Sequence, residues 1–295
     1  MRRLAELPPL RYLAIACVLG GVYLVLRWID RDDPADAATA ELHVRLRPGH
    51  VLGPTPGRAA PLFTHRVAAD DVRARWWRLD VPASRAAAEL ARLAADPDVD
   101  EAFVAPALSL PSAPSAGRAH DDACPITTPS YQELQGYLGP APEGVDAPAA
   151  WRAGTRGEGV WFADIEGGWN PRHEDLPDAR IAHVHGTPIT EPGWSAHGTA
   201  VLGEVVGIDN GRGVTGIAPD VERVLTSSIG SSDAADAIDS AAGALRPGDV
   251  LLVELQGYGP RGRFVPVEYW DDIFDAIHAA TARGIVVVEA AGNGG

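Results

Sequence analysis

Cysteine is scarce in this sequence, with two residues in 295. Cys17 falls in an apolar N-terminal run and Cys124 in a proline-rich stretch, so we expect no disulfide between them, because bridged Cα atoms must lie within about 7 Å of each other. Paired cysteines at zinc-site spacing are also absent. Since 46% of the residues are hydrophobic, the chain is instead expected to fold around a buried core.

Clusters of basic residues are missing as well. The chain has 25 Lys and Arg residues against 40 Asp and Glu residues, which gives a formal net charge of -15 at pH 7. Phosphate recognition needs clustered cations, whereas the arginines here are scattered. Nucleic acid is therefore not expected as a partner.

The N-terminus has the pattern of a targeting element. Residues 1–11 form a basic tail, and an apolar segment follows at residues 12–29. Its length lies between that of a signal sequence and the roughly 20 apolar residues of a spanning helix. We favour an uncleaved transmembrane anchor, with the basic tail in the cytoplasm and the bulk of the chain outside it. A cleaved signal would give a secreted protein instead.

A linker and a small α+β module are predicted next. Residues 30–40 are acidic and rich in alanine, as in a linker. Within the module, residues 41–108, Leu42, Val44 and Leu46 alternate with polar neighbours, which indicates a half-buried strand. The other predicted elements of the module are strands at 76–81 and 99–105 and a helix at 84–95.

A proline-rich linker at residues 109–140 separates this module from residues 141–295. In that last part, short apolar strands alternate with helices. The predicted strands are 159–163, 221–228, 250–255 and 285–289, and the predicted helices are 197–206, 233–244 and 267–282. Continuous apolar strands between helices indicate an α/β fold, with a parallel sheet and helices on both faces.

Three polar residues stand where such a fold places its reactive groups. Asp164 follows one apolar strand, Asn293 follows another, and His197 begins a helix. Because reactive groups gather outside the carboxyl ends of parallel strands, we expect the three to converge at one edge of the sheet. There an imidazole can take a proton from a hydroxyl while a carboxylate orients its other nitrogen. An amide can donate to an oxyanion.

The segments around these residues resemble the subtilisin-like serine peptidases, the subtilase family. They are Asp164-Ile165-Glu166-Gly167-Gly168, the stretch 197–203 that opens with His197-Gly198-Thr199, and Ala290-Ala291-Gly292-Asn293. The resemblance covers about residues 141–295. It implies a serine endopeptidase acting on polypeptide substrates, with Asp164 and His197 as catalytic residues and Asn293 in the oxyanion hole.

The resemblance has further implications. More weakly, residues 41–108 resemble the inhibitory propeptide of the same family, which would make this module a partner of the peptidase domain. No cofactor is implied. Structural calcium occurs in the family, but no loop is rich enough in Asp for a site to be assigned, and no metal ligand is predicted. Glu166 is atypical for the family: one interpretation is a second acid near the site, and the favoured one is a solvated turn residue.

Two departures from the family pattern bear on activity. Along the substrate strand the family carries Ser-x-Gly, where this chain has Glu254-Leu255-Gln256-Gly257, so substrate preference cannot be transferred. The family's Gly-Thr-Ser nucleophile motif is absent, and no serine stands in that context, including Ser195, Ser227 and Ser228. We therefore expect the 295 residues to be inactive alone and the peptidase domain to be incomplete at its C-terminus.

Two other hypotheses stay open. Without a serine nucleophile, the chain could be a catalytically dead, subtilase-like binding protein. A metal-dependent hydrolase built on His173, Glu174, His183 and His185 is the weaker alternative, because a His-x-His pair without a firm third ligand is a poor metal signal.

Overall fold

A computed structural model describes residues 38–65, 67–110, 128–231 and 233–294. The predicted anchor at residues 12–29 and both cysteines lie outside the described residues. Within the described ranges, no helix has the length and apolarity that a membrane span requires. The chain divides into an N-terminal unit, Met1–Leu62 with Ala68–Ala107, and a C-terminal unit, Phe63–Val67 with Leu108–Gly295.

An antiparallel sheet and one helix build the described part of the N-terminal unit. The elements are β1 (Thr39–Leu46), β2 (Arg58–Pro61), β3 (Trp76–Pro82), α1 (Ala86–Ala94) and β4 (Val99–Val104), with the strands in the order β2-β3-β1-β4. Leu42, Val44 and Leu46 alternate along β1, as the sequence pattern predicts, and all three are buried. They pack with Leu79 of β3 and Leu93 of α1 into one apolar core.

The C-terminal unit contains the remaining elements. Its strands are β5 (Leu108–Ser109), β6 (Trp161–Glu166), β7 (Ile181–His185), β8 (Arg223–Ser228), β9 (Val250–Val253), β10 (Gln256–Tyr258), β11 (Phe264–Pro266) and β12 (Val286–Glu289). Its helices are α2 (Ala147–Arg152), α3 (Pro192–Val206), α4 (Ala234–Ala244) and α5 (Asp271–Ala282).

Five of these strands form the parallel sheet that the sequence predicts, in the order β12-β9-β6-β8-β7, so the α/β fold is confirmed. A second, antiparallel sheet joins β11, β10 and β5. The central strand β6 is almost wholly buried. Phe162 of β6 packs with Leu202 and Val206 of α3, so α3 covers the face of β6 that carries Phe162.

The register of the parallel sheet brings three strand ends to one level. Ile165 of β6 pairs with Val253 of β9, and Val253 pairs with Glu289 of β12. Glu166, the last residue of β6, and Glu254, the residue after β9, therefore lie at the same carboxyl edge of the sheet. This is the edge at which parallel α/β folds assemble their sites.

Three elements differ from the sequence expectation in ways that matter for this edge. Strand β6 does not end at residue 163 but continues through Glu166. Its backbone pairs with β8 as far as Glu166, and this pairing does not depend on whether the side chains are apolar or acidic. Helix α3 begins at Pro192, a favoured first helical residue, so His197 lies in its second turn and not at its start. The strand predicted at 250–255 ends at Val253 as β9, and a separate strand, β10, begins at Gln256.

Shortening Ile165 tests the central strand. Its side chain is 0% exposed, so Ile165→Ala is expected to lower the free energy of unfolding by about 2–5 kcal/mol, through lost burial and a residual cavity. Urea denaturation measures the change. The matched control is Val184→Ala in β7, where the side chain is 37% exposed and a loss of about 1 kcal/mol or less is expected. Equal losses in the two variants would contradict this packing.

Candidate active site

The carboxylate that holds His197 belongs to Glu166. Its Oε1 lies 2.6 Å from Nδ1 of the imidazole. Side chains alternate along a strand, so Glu166 shares the face of β6 that carries Phe162, and α3 presents His197 to that face. The contact fixes the ring and leaves Nε2 as the nitrogen that can exchange a proton with a reacting group.

Asp164 lies two residues earlier on the same face of β6 and has a different partner. Its Oδ2 accepts a 2.7 Å hydrogen bond from Nε1 of Trp169. The carboxylate contact expected between Asp164 and His197 is therefore made by Glu166. The interpretation of Glu166 as a solvated turn residue is wrong, because its side chain is 0% exposed. A catalytic role for Asp164 stays a prediction.

A signal for Glu166 was present in the sequence. The family pattern is an apolar strand, then an acid, a small residue and a glycine. With β6 taken to its observed end, Glu166-Gly167-Gly168 fits this pattern as written, whereas Asp164 lies inside the strand. Taking the first acid after the apolar run starts the motif at Asp164, whereas strand β6 continues two residues further, to Glu166.

Close packing of glycines brings α3 and β6 together. A Cβ on Gly198 would lie 2.4 Å from the carbonyl oxygen of Gly168, and one on Gly167 would lie 2.1 Å from Cε3 of Trp194. Neither position has room for a side chain. Thr199 adds a direct tie, because its Oγ1 accepts a 2.8 Å hydrogen bond from the backbone N–H of Asn170. The tight approach at Gly198 sets His197 within reach of Glu166.

Burial keeps this pair close to neutral. Burial raises the pKa of Glu166 to about 9, and the charge of Glu254 acts in the same direction. Burial lowers the pKa of His197, although the carboxylates of Glu254, Asp164 and Glu204 oppose that shift. Both directions favour the uncharged forms, in which the Glu166 carboxyl group donates from Oε1 to Nδ1 and Nε2 carries the imidazole proton. Nε2 becomes a proton acceptor when Glu166 is ionised and the imidazole proton lies on Nδ1.

Asp164 follows the same logic. Burial, and after it the like charge of Glu166, raises the pKa of Asp164 well above its ordinary value. Within the described ranges, Oδ1 of Asp164 and Oε2 of Glu166 are buried and have no hydrogen-bond partner. A charged carboxylate with an unsatisfied buried oxygen is costly, and protonation relieves that cost.

The segment carrying Asn293 leaves β12 at the same edge. Gly292 adopts a φ of 81°, which glycine tolerates. The backbone N–H of Asn293 donates to Oε1 of Gln256 at 2.8 Å. Asn293 thus lies next to Gln256, the first residue of β10. Its role in an oxyanion hole stays a prediction.

An extended segment of the chain lies along β10. Strand β5 runs antiparallel to it, with Ser109 opposite Gln256 and Leu108 opposite Gly257. The side-chain Nε2 of Gln256 also donates to the carbonyl oxygen of Leu110 at 2.8 Å. Strand β10 therefore holds a peptide in extended form by backbone pairing, a recurring mode of peptide recognition.

The side chains of the metal-hydrolase hypothesis are separately engaged. His183 contacts Thr226 and the carbonyl of Gly186, and His185 contacts Asp236. In the part of the chain that the structure describes, the four side chains do not bring three ligand atoms within coordinating distance of one another. The remaining two have these partners: His173 contacts Asp175, and Glu174 contacts Thr128 and Arg212.

Two of the serines considered in the sequence have structural roles. Ser227 donates its hydroxyl to the carbonyl of Ala237, and Ser228 donates to the carbonyl of Gly167. Both side chains are 0% exposed. Neither is available as a nucleophile for His197.

Comparison with known proteins is consistent with this geometry. The chain is 32% identical over 156 residues to Subtilisin Savinase of Lederbergia lenta, a match covering 51% of this chain and 54% of that protein. The chain is a relative of the subtilisin-like serine proteases. The same identity and length relate it to an alkaline protease of Alkalihalobacillus alcalophilus, with 51% and 38% coverage. No protein-family model matches the chain.

The structural comparison supports the fold. Fervidolysin of Fervidobacterium pennivorans, a keratinolytic enzyme related to subtilisin, superposes with a TM-score of 0.52 at 16% identity. The match covers 94% of this chain and 43% of fervidolysin. The chain spans about half the length, or less, of the subtilisin-like proteins it matches.

Titration of His197 tests the environment of the imidazole. With isotope-labelled histidine and His197→Ala for assignment, NMR is expected to give a midpoint below the ordinary value of about 6.5, because burial disfavours the imidazolium. Glu254→Gln is expected to lower the midpoint further, since it removes the largest charge that favours protonation. A wild-type midpoint above 6.5 would contradict the burial argument.

The pH dependence of stability tests the Glu166 carboxyl. Its pKa is about 9 in the folded chain against 4.5 ordinarily, so between these values the folded state holds a proton that the unfolded state releases. The free energy of unfolding should therefore fall as pH rises through this window. Glu166→Gln lacks the proton, so urea denaturation at several pH values should show wild type losing stability relative to the variant. A difference independent of pH would rule this out.

Proposed function

We propose that this chain contributes the acid–imidazole pair and the oxyanion amide of a serine-type endopeptidase, with Glu166 in the place of the usual aspartate. The observation that carries the proposal is the 2.6 Å contact between Oε1 of Glu166 and Nδ1 of His197. The relationship to subtilisin-like serine proteases supports the same reaction class.

The proposed mechanism assigns one task to each residue. His197 takes the proton of a serine hydroxyl through Nε2 and later returns it to the leaving amine. Glu166, in its ionised form, accepts the hydrogen bond of Nδ1–H, which leaves Nε2 free to take the proton, and it stabilises the imidazolium that forms in between. Asn293 donates its side-chain amide to the oxyanion of the tetrahedral intermediate. Because this chain spans about half of its relatives' length, we assign the serine to sequence of the whole protein outside the 295 residues.

The proposed substrate is an extended polypeptide that pairs with β10. Strand β5 occupies that position here, with Ser109 opposite Gln256. We therefore propose that the N-terminal unit and its connection act as an inhibitory propeptide whose following residues lie where a substrate would. Export, through an anchor or a signal at residues 12–29, is part of the same proposal.

The test is the activity of the protein expressed from the complete gene. We expect it to carry a Gly-Thr-Ser motif, to react with a fluorophosphonate probe and to cleave casein. Glu166→Gln is expected to lower kcat about 10²–10⁴-fold, because it weakens the stabilisation of the imidazolium. The matched control is Asp164→Asn, which keeps an acceptor for Trp169 and mimics the protonated carboxyl, so its effect should be much smaller.

The contradicting outcomes are distinct. An intact gene without the serine motif, or a protein that neither reacts with the probe nor cleaves casein, would favour the non-catalytic binding protein. A loss caused by Asp164→Asn and not by Glu166→Gln would leave the peptidase in place and overturn the assignment of Glu166.

A further inference from the structure

The side chain of Gln256 joins two parts of the site. Its Oε1 accepts from the backbone N–H of Asn293 at 2.8 Å, and its Nε2 donates to the carbonyl oxygen of Leu110 at 2.8 Å. The residue is 2% exposed. One amide group thus connects the segment that carries the oxyanion residue to the backbone of the peptide lying on β10.

The two partners define the chemistry that the position needs. A backbone N–H can only donate and a carbonyl can only accept, so the bridging group must offer one acceptor and one donor. A glutamine amide meets both demands, whereas an ionised glutamate offers acceptors only. Since both contacts are buried, losing either leaves a polar group unsatisfied. The side-chain amide makes a third contact, 3.5 Å from Nε2 to Oγ of Ser109, and this contact is also with β5, the strand that lies on β10.

The direction of the strand makes this bridge relevant to catalysis. Ser109 pairs with Gln256 and Leu108 with Gly257, so an antiparallel peptide in this register runs from Gly257 toward Glu254 at the carboxyl edge. The peptide residue after the one paired with Gln256, Leu110 in this chain, accepts a hydrogen bond at its carbonyl oxygen from Nε2 of Gln256. A peptide that extends along β10 to the carboxyl edge therefore places one of its backbone carbonyl groups within hydrogen-bonding distance of Gln256.

We propose that Gln256 is a positioning residue that orders the Asn293 segment when an extended peptide occupies β10. The peptide carbonyl orients the amide of Gln256, and the oriented amide holds the backbone of Asn293. The recognised ligand is the backbone of an extended polypeptide, regardless of its side chains. The catalytic consequence rests on the proposed function, while the coupling between peptide and Asn293 does not require hydrolysis.

The chain offers a simple probe of this coupling. It contains three asparagines, Asn170, Asn210 and Asn293, so selective ¹⁵N-asparagine labelling of the full chain reports three backbone amides. Asn170 and Asn210 donate to Thr199 Oγ1 and to the carbonyl of Ile208, away from Gln256, and serve as internal references. Hydrogen exchange is then measured at the Asn293 amide.

Three variants separate the steps of the proposal. Gln256→Ala removes the acceptor, and exchange at Asn293 should rise about tenfold or more, the effect of losing one buried hydrogen bond. Leu108→Asp introduces a charge at a half-buried position of β5 and should release β5 from β10, because burial of a charge is unfavourable. The proposal requires exchange at Asn293 to rise in this variant too, although Gln256 itself is intact. The two reference amides should stay unchanged in both.

The third variant, Gln256→Glu, is measured above the pH at which its carboxyl group ionises, where it keeps an acceptor for Asn293 but has no donor for the peptide carbonyl. Exchange at Asn293 should then no longer respond to Leu108→Asp in the double variant. If Leu108→Asp leaves the Asn293 amide protected in the wild-type background, or if it acts equally in the wild-type and the Gln256→Glu backgrounds, the coupling is refuted. These outcomes do not depend on peptidase activity, so a chain without activity still tests the bridge.

Discussion

The hydrogen bond between Glu166 and His197 organises the carboxyl edge of the sheet. It requires β6 to extend through Glu166, and it requires α3 to approach β6 closely enough for the imidazole to reach the strand. Gly198 permits that approach, since any side chain there would collide with the carbonyl of Gly168. Backbone geometry, helix packing and the chemistry of the imidazole are therefore linked through one contact.

The electrostatics of this edge follow from how deeply its acids are buried. Asp164 and Glu166 share one face of β6 and are both 0% exposed, so desolvation raises the pKa of each, and the like charge of Glu166 adds to the effect on Asp164. Glu254, which is half-buried at the end of β9, opposes the effect of burial on His197. A neutral imidazole in an acidic surrounding suits a base that gains positive charge during the reaction.

The fold was more predictable from the sequence than the site. Burial determines the alternation at Leu42, Val44 and Leu46 and the apolar runs of the parallel sheet. The pattern of apolar residues in the sequence therefore predicts these strands directly. The position of the carboxyl group that contacts His197 depends on where β6 ends and on how α3 packs, and apolar periodicity does not determine either. For that reason Asp164 was assigned the contact that Glu166 makes. The bridge through Gln256 depends on residues far apart in sequence, so no local pattern indicates it.

The central claim is that Glu166, and not Asp164, binds Nδ1 of His197. The most direct test is the NMR chemical shift of the proton between Oε1 and Nδ1, which a short hydrogen bond to a carboxyl group moves strongly downfield. We expect this resonance in wild type, a marked upfield shift or loss in Glu166→Gln, and little change in Asp164→Asn. A resonance that persists in Glu166→Gln and disappears in Asp164→Asn would contradict the account.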